Sequence, residues 1–307
     1  MISRQKIYEM EFRDYSAVAL ASRCLHERAR RVLASQFSSV EFLNSEGDVD
    51  YYTARDLATG SLLKLKVLSA VASRNWRLVD DFYRQARIAA RLASPNILTS
   101  GEAAETGGVH FCVVEHRPGL TTLRELLSRE RWLDATRAAD IADQIAAALA
   151  HAHQLGIWHL SLSPEKILIE DGEWVLVGGF GVESRARAAS NHRANYDPAY
   201  ASPEQVARQS VDHRSDLYAL GAMLHEMLTG RTPSDGTLAE RSTHDVTLEL
   251  GSPIDLFGAD VPGPFSDVVM RLIDRDPVRR PSSAVEFQSV LNSCLRANKF
   301  RSSSRAC

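Results

Sequence analysis

The hydrophobic pattern of this chain changes period part-way along, and that change limits the architectures open to it. From residue 40 the short runs VEFL, VDYYTARD and SLLKLKVLS are separated by the turn-forming stretches SEGD and LATG, which predicts three antiparallel strands joined by hairpins. WRLVDDFYRQARIAARLASPNI interrupts them with Phe82, Ala86, Ala89 and Ala90 at helical spacing and closes at Pro95, before NILTS and VHFCVVE return to strand character. Beyond a linker at 115-EHRPG-119 the pattern becomes helical, through TLRELLSRE, ATRAADIADQIAAALAHAHQLG, SPEQVARQ, SDLYALGAMLHEMLTG, GPFSDVVMRLID and SAVEFQSVLNSCLR. Strands that come first and helices that come after predict an α+β chain: a small antiparallel sheet with one helix, followed by a mainly helical lobe.

Two segments flank this pattern. Residues 13–36 mix apolar positions with Arg and Glu and contain neither Gly nor Pro, so they read as an amphipathic helix outside the main domain, either packed on it or offering its Arg-rich part, Arg23 to Arg31, to a partner or membrane surface. RANKFRSSSRAC at the other end reads as a frayed basic tail. The expected organisation is an extension over 1–39, a domain over 40–293 (sheet lobe about 40–114, helical lobe about 120–293) and a flexible tail over 294–307. Residues 231–263 read as an exposed connection.

Composition removes several functional classes. With 44% hydrophobic and 24% charged residues the 307-residue chain can bury a sizeable core, and a net charge of −3 gives no general attraction for nucleic acid. Cys24, Cys112, Cys294 and Cys307 are too scattered for a zinc knuckle or a disulfide framework. No run approaches the ~18 apolar residues of a membrane span, and no signal-like segment follows the first residues. The expectation is a cytoplasmic protein without an integral membrane segment; nothing in the residues indicates an oligomeric state.

HLSLSPEKILI, GGFG, ASPEQ and DHRSDLYALGAMLHEMLTGRTP occur in that order within the helical lobe, and together with the lobe pattern they resemble the bacterial serine/threonine protein kinases. The resemblance covers roughly residues 40–293 and implies a two-lobed kinase-like fold. It also implies roles for particular residues. Lys66 in LLKLKVL matches the phosphate-contacting lysine, with Lys64 on the same strand face, and Gln85 stands where a helix glutamate normally orients that lysine. The phosphate-cradling turn falls on 44-NSEGDVDY-51, where Asn44, Glu46 and Val49 take the usual glycine positions and only Gly47 is available.

The catalytic loop departs further from the family pattern. His159 is present, but Leu160 replaces the arginine and Ser161 the proton-accepting aspartate. Ser163 takes the place of a phosphate-stabilising lysine, and Lys166 that of a magnesium-binding asparagine. Gly179 stands where the second magnesium carboxylate belongs, and an ammonium cannot ligate magnesium. Glu173 and Glu183 are the acids near enough in sequence to substitute, and both read more simply as solvated loop charges.

Fold-maintaining positions are intact by the same resemblance. Glu204 and Arg280 match a buried ion pair between late helices, Asp216 matches the acid that organises the catalytic loop or else caps its own helix, and His159 and Phe180 belong to the scaffold. Ser184, Ser190 and Ser202 lie near Arg185, Arg187 and Arg193, so phosphorylation of this segment would alter its charge balance, but Leu160 removes the usual arginine receiver. His151 and His153, two apart, do not share a helix face as a metal pair would. The resulting expectation is a catalytically inactive pseudokinase with a protein partner in bacterial signalling, needing no magnesium and with ATP left open as a ligand. Its alternatives are an atypical ATP-binding kinase or nucleotidyl transferase that uses Lys66 and Lys166, or a small-molecule sensor using the interlobe cleft.

Overall fold

A computed structural model of the chain describes residues 25–117, 119–170, 172–180, 196–233 and 261–303, with side chains described as far as 294. The readings placed on residues 13–24, on Glu183, Ser184, Ser190, Arg185, Arg187 and Arg193, and on most of the 231–263 connection lie outside those residues. Two compact units divide the chain, the first ending at Ala90 and resuming over Ser100–Arg117, the second taking Arg91–Thr99 and the remainder.

The first unit is built on an antiparallel sheet in the order β1-β2-β3-β5-β4, from β1 (Phe37–Glu46), β2 (Val49–Asp56), β3 (Leu62–Leu68), β4 (Ser100–Thr106) and β5 (Val109–Glu115). A two-residue turn, Gly47 and Asp48, joins β1 to β2, and Glu46 pairs directly with Val49. Of the two turn residues only Gly47 is left-handed, at φ +59°, the conformation that a glycine-first hairpin turn demands. Alternation along the strands gives the sheet two apolar faces. Helix α2 (Trp76–Ala90) covers one, packing Phe82 and Ala86 on Leu68 and Cys112.

The opposite face is covered by α1, residues 25–33, which buries Ala29 and Leu33 among Tyr52, Leu65, Val67 and Phe111. The helix therefore packs on the domain, one of the two readings left open, and the expected boundary at 39 is corrected: β1 begins at Phe37, and α1 belongs to the unit. Two of its arginines serve that attachment, for Arg30 Nε donates to Val40 O at 2.9 Å and Arg28 Nη2 to Gly107 O at 3.4 Å. The physical cause is the second apolar face, which the alternation of β2 and β3 creates and α2 cannot reach.

In the second unit β6 (Thr121–Thr122), β7 (Ile167–Glu170) and β8 (Trp174–Val177) form a small antiparallel sheet beside a helical body. The helices are α3 (Leu123–Glu130), α4 (Ala135–Gln154), α5 (Pro203–Val206), α6 (Arg214–Thr229), α7 (Gly263–Leu272) and α8 (Ala284–Ser303). Thr122 and Glu125 close the start of α3 with a reciprocal capping box, and Asp134 caps α4 by accepting from Thr136 N and Arg137 N. Helix α6 is buried from Ser215 to Leu228. It lies so close to α7 that a Cβ on Gly221 would fall 2.5 Å from Leu272 Cβ. The expected flexible tail from 294 is also corrected: α8 continues to Ser303, consistent with a stretch that contains neither Gly nor Pro to stop it.

Candidate functional site

The loop from His159 to Lys166 connects α4 to β7, and buried hydrogen bonds hold it in place. Asp216, fully buried in the first turn of α6, accepts from His159 N at 2.9 Å and from Leu160 N at 2.7 Å, and its Oδ2 lies 2.8 Å from His153 Nε2. The side chain therefore ties a loop to a helix and makes no cap for α6. Burial pushes its carboxyl pKa upward, but the bonds and charge from His153 and His159 outweigh that and hold it below the usual range. Leu160 sits at φ +58°, a conformation a branched side chain rarely adopts, and is held there from both sides: its N–H by Asp216, its carbonyl by Gln205 Nε2 at 2.7 Å.

His159 is wholly buried, with Nε2 2.9 Å from Gly178 O and its ring 4.7 Å from that of Phe180. A carbonyl can only accept, so Nε2 carries the proton and Nδ1 is left to accept from Ser161 N at 3.4 Å. Burial, followed by the nearby charge of Lys166, pushes its pKa down to about 4, and the ring is neutral near pH 7.

Ser161, Lys166 and Gly179 come together beside this scaffold. Lys166 Nζ donates to Ser161 O and to Ser161 Oγ, each at 2.7 Å. The lysine stem lies over Gly179, where an added Cβ would meet Lys166 Cδ at 3.0 Å. Gly179 has φ +84°. Ser163 is also buried, and its hydroxyl bonds Glu165. Burial raises the pKa of Glu165, but bonds from Arg124 and Ser163 win and leave it lowered. Arg124 reaches Glu165 Oε1 at 2.8 Å and Glu226 Oε1 at 2.7 Å and also bonds the Tyr200 hydroxyl.

Glu204 and Arg280 meet in a buried bidentate pair, Nη1 to Oε1 at 2.7 Å and Nη2 to Oε2 at 2.8 Å. Ser215 Oγ adds a bond to Glu204, and the carbonyls of Asp274, Arg214 and Arg275 accept the remaining guanidinium donors. Glu173 bonds Arg137, a structural use of that acid.

In the first unit Lys66 is half-buried on β3 between Tyr51 and Cys112, with Nζ 5.9 Å from the Phe82 ring of α2. Gln85, on the same helix, is buried. Lys64 lies over the Tyr51 ring at 4.5 Å. At the hairpin tip Asn44, Ser45 and Glu46 pair with Tyr51, Asp50 and Val49, while Asn44 Nδ2 bonds Glu46 Oε1 at 3.0 Å. A carboxylate thus stands at the tip of this hairpin.

These residues do not fit magnesium. The three positions that would supply a base and two oxygen ligands hold a hydroxyl, an ammonium and no side chain, and the ammonium is already directed at the hydroxyl. Among the described residues no group of three or more His, Cys, Asp or Glu side chains could hold a metal ion.

An antiparallel sheet unit, a helical unit, and a histidine loop tied to a buried helix aspartate define a protein kinase fold. The chain belongs to the protein kinase family, whose domain model matches residues 45–298. Two similar relatives are bacterial kinases. Serine/threonine-protein kinase pkn3 of Myxococcus xanthus is 33% identical over 270 residues, covering 82% of this chain and 49% of the relative. Serine/threonine-protein kinase PknB of Mycolicibacterium smegmatis is 31% identical over 269 residues, covering 84% of this chain and 43% of the relative. The chain thus spans less than half the length of these relatives. The crystallised PknI kinase domain of Mycobacterium tuberculosis has a TM-score of 0.64 at 24% identity, covering 85% of this chain and 97% of that one, which shows the shared fold. No helix among the described residues is long and apolar enough to cross a membrane.

Sequence reasoning missed three features of the site. His153 bonds Asp216, and its spacing of six residues before His159 in HAHQLGIWH was the available signal. The Arg124, Glu165, Glu226 and Tyr200 cluster joins residues far apart in the chain and leaves no local pattern. The contact of Lys166 with both Ser161 and Gly179 likewise has no periodicity to reveal it.

Proposed function

We propose that this chain is a kinase-fold signalling protein without phosphoryl-transfer activity, a pseudokinase that acts by binding a protein partner. The observation that supports it most directly is the lysine at the loop: Lys166 Nζ sits 2.7 Å from Ser161 Oγ, where transfer would require a carboxylate free to take a proton. Gly179 and the hairpin at Glu46 add to the case, since each removes or opposes an element of phosphate and metal binding. The buried networks around Asp216 and Glu204 meanwhile preserve the platform a partner would need.

The test is incubation of purified chain with radiolabelled ATP, magnesium or manganese and general peptide substrates, beside a Lys66→Met control. Incorporation no greater than the control is the expected result, and sustained turnover above it sinks the reading. ATP titration with and without magnesium, on the same preparation, separates a protein that binds no nucleotide from one that uses Lys66 and Lys166 as metal-independent phosphate contacts.

A further inference from the structure

Three replaced positions would be unrelated losses if their side chains lay apart, but Ser161, Lys166 and Gly179 are in mutual contact. Lys166 begins from a short turn, Pro164–Lys166, whose carbonyl accepts from Gly178 N at 2.9 Å. The backbones carrying residues 166 and 179 are therefore held together. Its stem crosses the space a side chain at 179 would fill, with Cδ 3.0 Å and Cε and Cγ 3.6 Å from the position of a Cβ there. Its ammonium ends on the two oxygens of Ser161, both at 2.7 Å. The loop it reaches is anchored by the Asp216 carboxylate, so a positive charge here has a buried negative charge behind the neighbouring backbone.

We propose that Lys166 is a built-in cation that closes this site to divalent metal, and that Gly179 is its necessary counterpart. The inference rests on the pseudokinase reading and deepens it, stating why this fold needs no metal at that position. Two physical features make the lock paired. An ammonium that ends on Ser161, with its stem across the space a side chain at 179 would fill, repels a divalent ion and offers it no lone pair. An aspartate at 179 would meet the lysine stem first and then pair with its ammonium, so a carboxylate alone would be neutralised before any metal arrived.

The experiment measures Mn²⁺ binding to the full chain by the loss of its free electron-paramagnetic-resonance signal, with backbone amide broadening locating the ion. Wild type, Lys166→Asn and Gly179→Asp are expected to leave sub-millimolar Mn²⁺ free, whereas the double variant Lys166→Asn with Gly179→Asp binds it at least tenfold more tightly. A folded double variant with no gain overturns the proposal, as does a Lys166→Asn single variant that binds as well as the double. Selective Mn²⁺ broadening at Ser161, Lys166 and Gly179 in the wild type overturns it without any variant. Phosphoryl transfer is read separately: a metal-free chain that nonetheless turns over ATP defeats the pseudokinase reading alone, and an inactive chain that binds Mn²⁺ here defeats this inference alone.

Discussion

His159 and Arg280 show how single buried groups set the stability of the second unit. The unfolded chain protonates His159 near the ordinary value of 6.5 and the folded chain near 4. Between those values the unfolded state binds more protons, so stability rises with pH: the contribution is complete above about pH 6.5 and is lost as pH falls through 4. That gap corresponds to about 3 kcal/mol. Urea titrations at pH 7 and pH 5 should show it as a lowered midpoint at the acid value, and His159→Asn should flatten the difference. The Glu204 and Asp216 carboxyls are both held below their ordinary values, so their contributions are present above about 4.5 and 3.8 and fail in a second, more acidic window. Arg280→Met strands the Glu204 carboxylate away from water and should cost about 3–5 kcal/mol in chemical unfolding at neutral pH. Replacing both partners by apolar residues should recover much of that loss, because no charge is then left buried.

Secondary elements carry the next level of dependence. Helix α1 exists as part of the fold because the sheet has two apolar faces, and Leu33, with no exposed surface, closes the one that α2 leaves open. Leu33→Ala should destabilise the first unit by about 2–5 kcal/mol, seen as a lowered thermal midpoint. A chain beginning at residue 36 should bind a hydrophobic dye and aggregate, because Tyr52, Leu65 and Phe111 would lose their cover. Full solubility of that truncated chain would show that α1 is dispensable. The β1–β2 hairpin belongs to the same scale: its tight turn holds Glu46 opposite Val49, and the strand ladder, with Gly47 left-handed at its tip, accounts for the conformation without any ligand.

Across the whole molecule, chain order and unit membership do not coincide. Residues 91–99 lie between two elements of the first unit yet belong to the second, where Leu98 N bonds Val177 O and Val177 N bonds Asn96 O. Asn96 is buried and gives its side-chain amide to Val175 O at 2.9 Å and Gln144 Oε1 at 3.2 Å. Asn96→Ala should therefore cost about 1–3 kcal/mol, with hydrogen exchange accelerated at β8 and α4 and unchanged in β1 and β2. Much of the architecture was legible beforehand, because strand and helix periods are local properties of the chain: the hairpins, α4 with its alanine face, and the segregation of sheet from helices follow from spacing alone. Motif order was equally readable, so Glu204 and Arg280 could be named as a pair, His159 as part of the scaffold, and Asp216 as either the organiser of the catalytic loop or a cap of its own helix, before any geometry was known. Spacing could not disclose that α1 closes the sheet or that residues 91–99 change unit, since each depends on which surface is left uncovered by the rest. The sequence by itself determined that residues 161, 166 and 179 carry a hydroxyl, an ammonium and no side chain. Only the tertiary structure decided that the three meet, because the contact of the ammonium with Ser161 and of its stem with Gly179 is made by the folding of a turn against a strand end.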